Sequence, residues 1–138
     1  MSFVVDASLV ASWLLPDEKA PETEALLSRV TIEAPLAPDL LRHELRSLVL
    51  AAVRRGRVSH QFPAWAFRRF AELMIQNAGS GDDNAVLELA MTHNLSTYDA
   101  SYLALARHRE LPLATLDRRL AKAARREHVE LLGPDEVE

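Results

Sequence analysis

The stretch Phe3-Val4-Val5-Asp6-Ala7-Ser8 constrains this chain more than any other. Three apolar residues, two of them β-branched, predict a short strand buried on both faces. An acid follows at once, and Ala7 to Leu15 then reads as a helix. Open α/β sheets bind ligands outside the carboxyl ends of their strands, which is where Asp6 stands. The same residue also fits a turn or a helix N-cap. Other acids in comparable places decide between these readings.

Strand and helix patterns alternate along the rest of the chain. Glu22 to Val30 is a short amphipathic helix behind Pro21, and Ile32 to Ala37 is a second strand made irregular by Pro35. Pro38-Asp39 opens a long helix, Leu40 to Arg54, with Leu41, Leu45, Leu48 and Ala52 on its apolar stripe and Val49 beside it. Gly56 stops that helix. Ser59 is expected to cap the next, Gln61 to Ile75, whose Phe62, Trp65 and Phe70 suit core or helix-pair contacts. After Gly79-Ser80-Gly81, Asp82 and Asp83 open a helix to about His93, with Asn94 as its stop. Asp99 is expected to cap a further helix through Ala106-Arg107. Leu111 to Thr115 reads as a strand, Asp117 to Arg126 as a helix and Val129 to Leu132 as a last strand, closed by Gly133-Pro134 before an acidic tail. Short apolar strands joined through helices predict one three-layer α/β/α domain, residues 1–138, with a mainly parallel sheet.

Composition narrows the chemistry. The 138 residues fit one domain, and 49 % apolar content is enough for a core. Cysteine is absent, which excludes disulfides, thiolate metal sites and cysteine nucleophiles. No run of 18 apolar residues and no basic-then-apolar leader occurs, so a cytoplasmic protein without a membrane span is expected. A net charge of -4 argues against a broadly basic nucleic-acid surface. The basic residues are nonetheless clustered, and all but Lys19 and Lys122 are arginine. Arginine suits bidentate contact with phosphate, although such doublets also form plain solvated helix faces.

Four acids carry the functional argument. Asp6 and Asp117 follow strands, Asp99 begins a helix, and all three belong to the same edge of a parallel sheet. Glu44 lies on an apolar helix face between Leu40 and Leu48, where a charge needs a partner. Asp99 and Asp117 also fit simple N-caps, and Glu44 could pair with Arg42, His43 or Arg46. Asp39, Asp82 and Asp83 read as helix-start residues. Acids gathered at one edge repel, and a hard divalent cation such as Mg²⁺ or Mn²⁺ relieves the repulsion. One ion, or two about 3.5–4 Å apart, would suit phosphodiester hydrolysis.

Several segments resemble PIN-domain proteins, specifically the toxin subunit of VapBC-type toxin–antitoxin pairs. They are Val4-Val5-Asp6-Ala7-Ser8, Glu44 in its leucine-rich helix, Tyr98-Asp99-Ala100-Ser101-Tyr102-Leu103-Ala104-Leu105-Ala106, and Pro112-Leu113-Ala114-Thr115-Leu116-Asp117-Arg118-Arg119-Leu120. The resemblance spans nearly the whole chain. It implies that Asp6, Glu44, Asp99 and Asp117 form the Mg²⁺- or Mn²⁺-binding site of an endoribonuclease. Asp6 and Asp99 would be the closest ligands, and Glu44 and Asp117 would complete the shell, act through water or hold a second ion. Hydrolysis would leave a 3′-hydroxyl and a 5′-phosphate. Ser8 and Thr115 would orient water or a carboxylate, and Arg118 and Arg119 would contact RNA, such as a transfer RNA. A homodimer and a cognate antitoxin, laying a C-terminal segment with an arginine over the acids, are implied as well. Two positions depart from the family pattern: Arg46-Ser47 follows Glu44 where relatives carry a small residue and asparagine, and Arg109-Glu110 fills a turn usually held by glycine.

Three other functions compete. One is a PIN-like nuclease of RNA processing or DNA flaps outside any toxin pair, which an adjacent antitoxin gene would exclude. A second is a catalytically silent binding protein of the same fold, against which the retention of all four acids stands. The third is a phosphatase-like α/β domain, which needs a basic residue at a later strand end where this chain has Asp117.

Overall fold

A computed structural model describes residues 2–133, so the expected turn at Pro134 and the acidic tail lie outside the described residues. In chain order the elements are β1 (Val4–Val5), α1 (Ala7–Leu14), α2 (Pro21–Glu33), β2 (Leu36–Ala37), α3 (Leu41–Arg54), α4 (Phe62–Leu73), β3 (Gln76–Asn77), α5 (Asp83–His93), α6 (Thr97–Arg109), β4 (Leu113–Ala114), α7 (Arg118–Arg126) and β5 (Leu131–Leu132).

The five strands form one sheet in the order β3-β2-β1-β4-β5, and every neighbouring pair is parallel. β1 is central: Val4 is in register with Leu36 on one side and Leu113 on the other. Phe3, Val4 and Val5 are fully buried, as expected for an interior strand covered on both faces. Helices α1 to α4 pack together, α5 to α7 pack together, and α6 lies on β1 and β4. This is the three-layer α/β/α architecture the alternating pattern predicts.

The winding fixes where a site can lie. From β1 the chain steps outward to β2 and β3, then crosses back to β4 and β5 on the other side. The loops leaving β1 and β4 therefore diverge, and the crevice between them is the topological switch point at which open α/β sheets bind ligands. Among the described residues no helix is long and apolar enough to cross a membrane.

Several elements differ from the sequence-based expectations. The second strand does not begin at Ile32. Helix α2 continues to Glu33 and ends on Ala34 in the left-handed region (φ 49). Ile32 is 82 % exposed, so its apolar side chain marks the outer face of a helix. β3 has no apolar signature, because Gln76 and Asn77 form a short exposed edge strand. Helix α4 starts at Phe62 without a side-chain cap; Ser59 offers only its carbonyl, to the Phe62 N–H at 3.1 Å. The buried stripe of α3 is Leu41, Leu45, Val49 and Ala52, while Leu48 is left 39 % exposed. Glu110, at the turn where the family resemblance leads one to expect glycine, ends α6 in the left-handed conformation (φ 54). A side chain there is strained relative to glycine.

Candidate active site

Asp6 leaves β1 and immediately caps α1. Its backbone N–H donates to the Ala114 carbonyl at 3.2 Å, which ties it to the end of β4. Oδ1 accepts from the Leu9 N–H at 3.1 Å and from the Ser8 hydroxyl at 2.8 Å. Oδ2 accepts from the Thr115 hydroxyl at 2.5 Å. Ser8 Oγ in turn accepts the Leu116 N–H at 3.1 Å, and Thr115 Oγ1 accepts the Asp117 N–H at 2.9 Å. Two short hydroxyl side chains thus lace the start of α1 to the loop after β4 and hold Asp6 and Asp117 in a fixed relation. Asp6 is the N-cap of α1 and, through its other oxygen, is also tied to the loop after β4.

Asp117 caps α7 through Oδ1, which accepts the Arg119 and Leu120 N–H groups at 2.9 and 3.0 Å. Among the described residues its Oδ2 has no hydrogen-bond partner. Asp99 does not cap α6. Ser96 does, its hydroxyl accepting the Asp99 N–H at 3.1 Å, and Asp99 sits in the first helical turn instead. This leaves the Asp99 carboxylate half-buried with no structural duty as the cap. Glu44 does not pair with Arg42, His43 or Arg46. Its Oε1 accepts the Tyr102 hydroxyl at 2.7 Å, while the Arg42 guanidinium stacks 5.1 Å from the Phe70 ring centroid.

These four acids, drawn from four segments, line one cleft of about 570 Å³ with Ser8, His43, Ser47, Tyr98 and Tyr102. Its apolar walls are Ala7, Leu40 and Leu48. Lysine and arginine are absent from that lining. Burial dominates the electrostatics of the acids, and their mutual repulsion adds to it. Burial drives Asp6 up from 3.8 to about 6, against hydrogen bonds from Thr115, Ser8 and Leu9, and the Asp117 charge adds to the rise. Burial also raises Glu44, with the Tyr102 hydrogen bond opposing and Asp99 reinforcing. Asp99 is raised by burial and by Asp117, with Ser96 and Arg119 pulling the other way. The acids therefore sense one another as negative charges across a shared space.

That donor set suits a hard cation, because carboxylates with raised affinity for a proton also gain from a divalent ion. Among the described residues no group of three His, Cys, Asp or Glu side chains stands ready to hold a metal. Mg²⁺ usually keeps several waters and takes only one or two protein carboxylates, so the residues fit an ion held partly through water. The remaining side chains named from sequence are also placed. Arg118 and Arg119 open α7, directly after Asp117. Arg119 donates to the Asn94 carbonyl at 2.7 Å, and Arg118 is exposed. From sequence, Tyr98 and Tyr102 stand only within a family-like segment and His43 only as an alternative partner for Glu44; none of the three is assigned to the site. For Tyr102 a signal existed, since it lies three residues after Asp99 and so shares its helix face.

Comparison with known proteins identifies the family and the fold. The PIN domain family matches residues 3–126. Ribonuclease VapC3 of Pyrobaculum aerophilum is 32 % identical over 130 residues, covering 88 % of this chain and 94 % of that protein. Among solved structures, PAE2754 from Pyrobaculum aerophilum superposes with a TM-score of 0.72 at 22 % identity, over 89 % of this chain and 79 % of the other. FitAcB from Neisseria gonorrhoeae gives 0.69 at 18 % identity, over 97 % and 98 %. At those identities the two structures show a shared fold and nothing more. The family match and the VapC3 relative go further: this chain belongs to the PIN-domain family and is homologous to VapC-type proteins.

Proposed function

We propose that this protein is a Mg²⁺- or Mn²⁺-dependent endoribonuclease acting as the toxin of a toxin–antitoxin pair. The observation that carries the reading is the convergence of Asp6, Glu44, Asp99 and Asp117 on one cleft with no lysine or arginine in its lining. The relative named as a ribonuclease supports the activity class. Asp6 and Asp99 would hold the principal cation, and Glu44 and Asp117 would complete its shell through water or hold a second ion. Such a cation supplies Lewis acidity toward a phosphoryl oxygen and lowers the pKa of a water it holds.

The chain's own residues do the rest. Ser8 and Thr115 fix both oxygens of Asp6, so its carboxylate is oriented before any ligand arrives. Asp117 keeps one oxygen on the α7 N-terminus, which leaves the other available to the cleft that Asp117 lines. Arg118 and Arg119 stand beside it to hold the RNA backbone. Hydrolysis breaks the P–O3′ bond and leaves a 3′-hydroxyl and a 5′-phosphate. A structured RNA such as a transfer RNA is the proposed substrate. A cognate antitoxin places an arginine among the acids and neutralises the same charge as the cation, and the protein acts as a homodimer.

Purified protein incubated with transfer RNA tests the activity. Cleavage is expected with Mg²⁺ or Mn²⁺ and its loss with a chelator; chelator-resistant cleavage would contradict a metal-dependent site. Expression in a bacterial host is expected to arrest growth, with relief by the product of the adjacent gene. Cleavage without arrest, or arrest that no neighbour relieves, would point to a nuclease outside a toxin pair.

A further inference from the structure

Tyr102 is 1 % exposed, and a buried phenol needs an acceptor for its O–H. The acceptor is Glu44 Oε1 at 2.7 Å, on another helix and 58 residues away in sequence. Among the described residues this is the one hydrogen bond that the Glu44 carboxylate makes, and Oε2 has no protein partner. Glutamate has three side-chain torsions, so an acid on a half-exposed helix face samples many positions unless something fixes its end. The flanking basic residues do not fix it.

We propose that Tyr102 is a positioning residue for the cation site: its hydroxyl pins Glu44 Oε1 against α6 and thereby presents Oε2 to the cleft. Helix α6 then sets two of the four acids, Asp99 from its own first turn and Glu44 through the phenol one turn later. The ring itself belongs to the core and the oxygen to the site, so the two roles separate in a single substitution. Tyr102→Phe keeps the ring and removes only the oxygen. The inference rests on the proposed cation site and extends it to a residue outside the four acids.

Calorimetric titration of Mn²⁺ into the native protein, Tyr102→Phe, Glu44→Ala and the double variant tests it. Tyr102→Phe is expected to weaken Mn²⁺ binding about tenfold, the scale seen when a hydrogen bond behind a metal ligand is lost. In the Glu44→Ala background the same substitution is expected to change nothing, because the group it acts through is gone. RNA cleavage by Tyr102→Phe is expected to recover at high Mn²⁺, and the unfolding midpoint of the metal-free variant to stay near native. If Glu44→Ala does not fold, Glu44→Gln, which keeps an acceptor for the phenol, replaces it, and the Tyr102→Phe effect is expected to shrink. Unchanged Mn²⁺ affinity in Tyr102→Phe, or an equal loss with and without Glu44, would overturn the assignment while leaving the nuclease reading standing. Absence of Mn²⁺ binding by the native protein would remove both.

Discussion

Asp99→Asn is expected to lower metal-dependent RNA cleavage about a thousandfold without unfolding the protein. Ser96 caps α6, so the Asp99 side chain is not needed to start the helix. Asparagine keeps its shape and removes its charge. Stabilisation of developing charge by a bound cation amounts to several kcal/mol, and each 1.36 kcal/mol is about tenfold in rate. On the proposed site, losing this ligand removes about three powers of ten in rate. Initial rates at saturating Mn²⁺, set beside circular dichroism of the variant, measure this. A folded variant that cleaves at the native rate would remove Asp99 from the chemistry. Asp117→Asn makes an instructive partner, because asparagine caps helices nearly as well as aspartate. Any loss there also reports the charge rather than the cap.

Asp6 has the second large expected effect, and it appears in stability. Its pKa rises from 3.8 in an unfolded chain to about 6 in the fold, mainly through burial. Between those values the folded state binds a proton that the unfolded state does not, so stability falls as pH rises. The full loss is reached above the folded value and amounts to about 3 kcal/mol at pH 7, as an order of magnitude. In chelator, the stability of the native protein relative to Asp6→Asn is thus expected to decline between pH 4 and pH 7. Mn²⁺ is expected to restore the native protein at pH 7 and to do little for the variant. Denaturant unfolding at several pH values reads both effects. A difference between the two proteins that stays flat across that range would show that Asp6 carries no buried, uncompensated charge.

The parts of this architecture that sequence could reveal are those with a repeating or local signature. Val4-Val5 and Leu113-Ala114 announce interior strands by their apolar, partly β-branched character, and the acids behind them mark the sheet edge. The alternation of such strands with helices was enough for the three-layer arrangement. Gln76-Asn77 escaped because a two-residue exposed edge strand is defined by its pairing to Leu36-Ala37, not by its own side chains. Ile32 misled because one apolar residue near a proline resembles a strand as much as a helix surface. At α6 the sequence reading takes Asp99 as the cap, and the backbone gives that place to Ser96, three residues earlier. The Glu44–Tyr102 bond joins two helices from distant parts of the chain, and no spacing within either helix encodes it. The same holds for the laces from Ser8 to Leu116 and from Thr115 to Asp6, which exist because β1 and β4 are neighbours.

The central claim is that acids remote in sequence share one cleft and hold a divalent cation there. Anomalous diffraction from crystals soaked in Mn²⁺ tests it most directly. The expected result is a Mn²⁺ peak within the cleft, in contact with Asp6 or Asp99 and linked through water to Glu44 or Asp117. A map with no peak at these residues, or with manganese bound only elsewhere on the surface, would contradict the account.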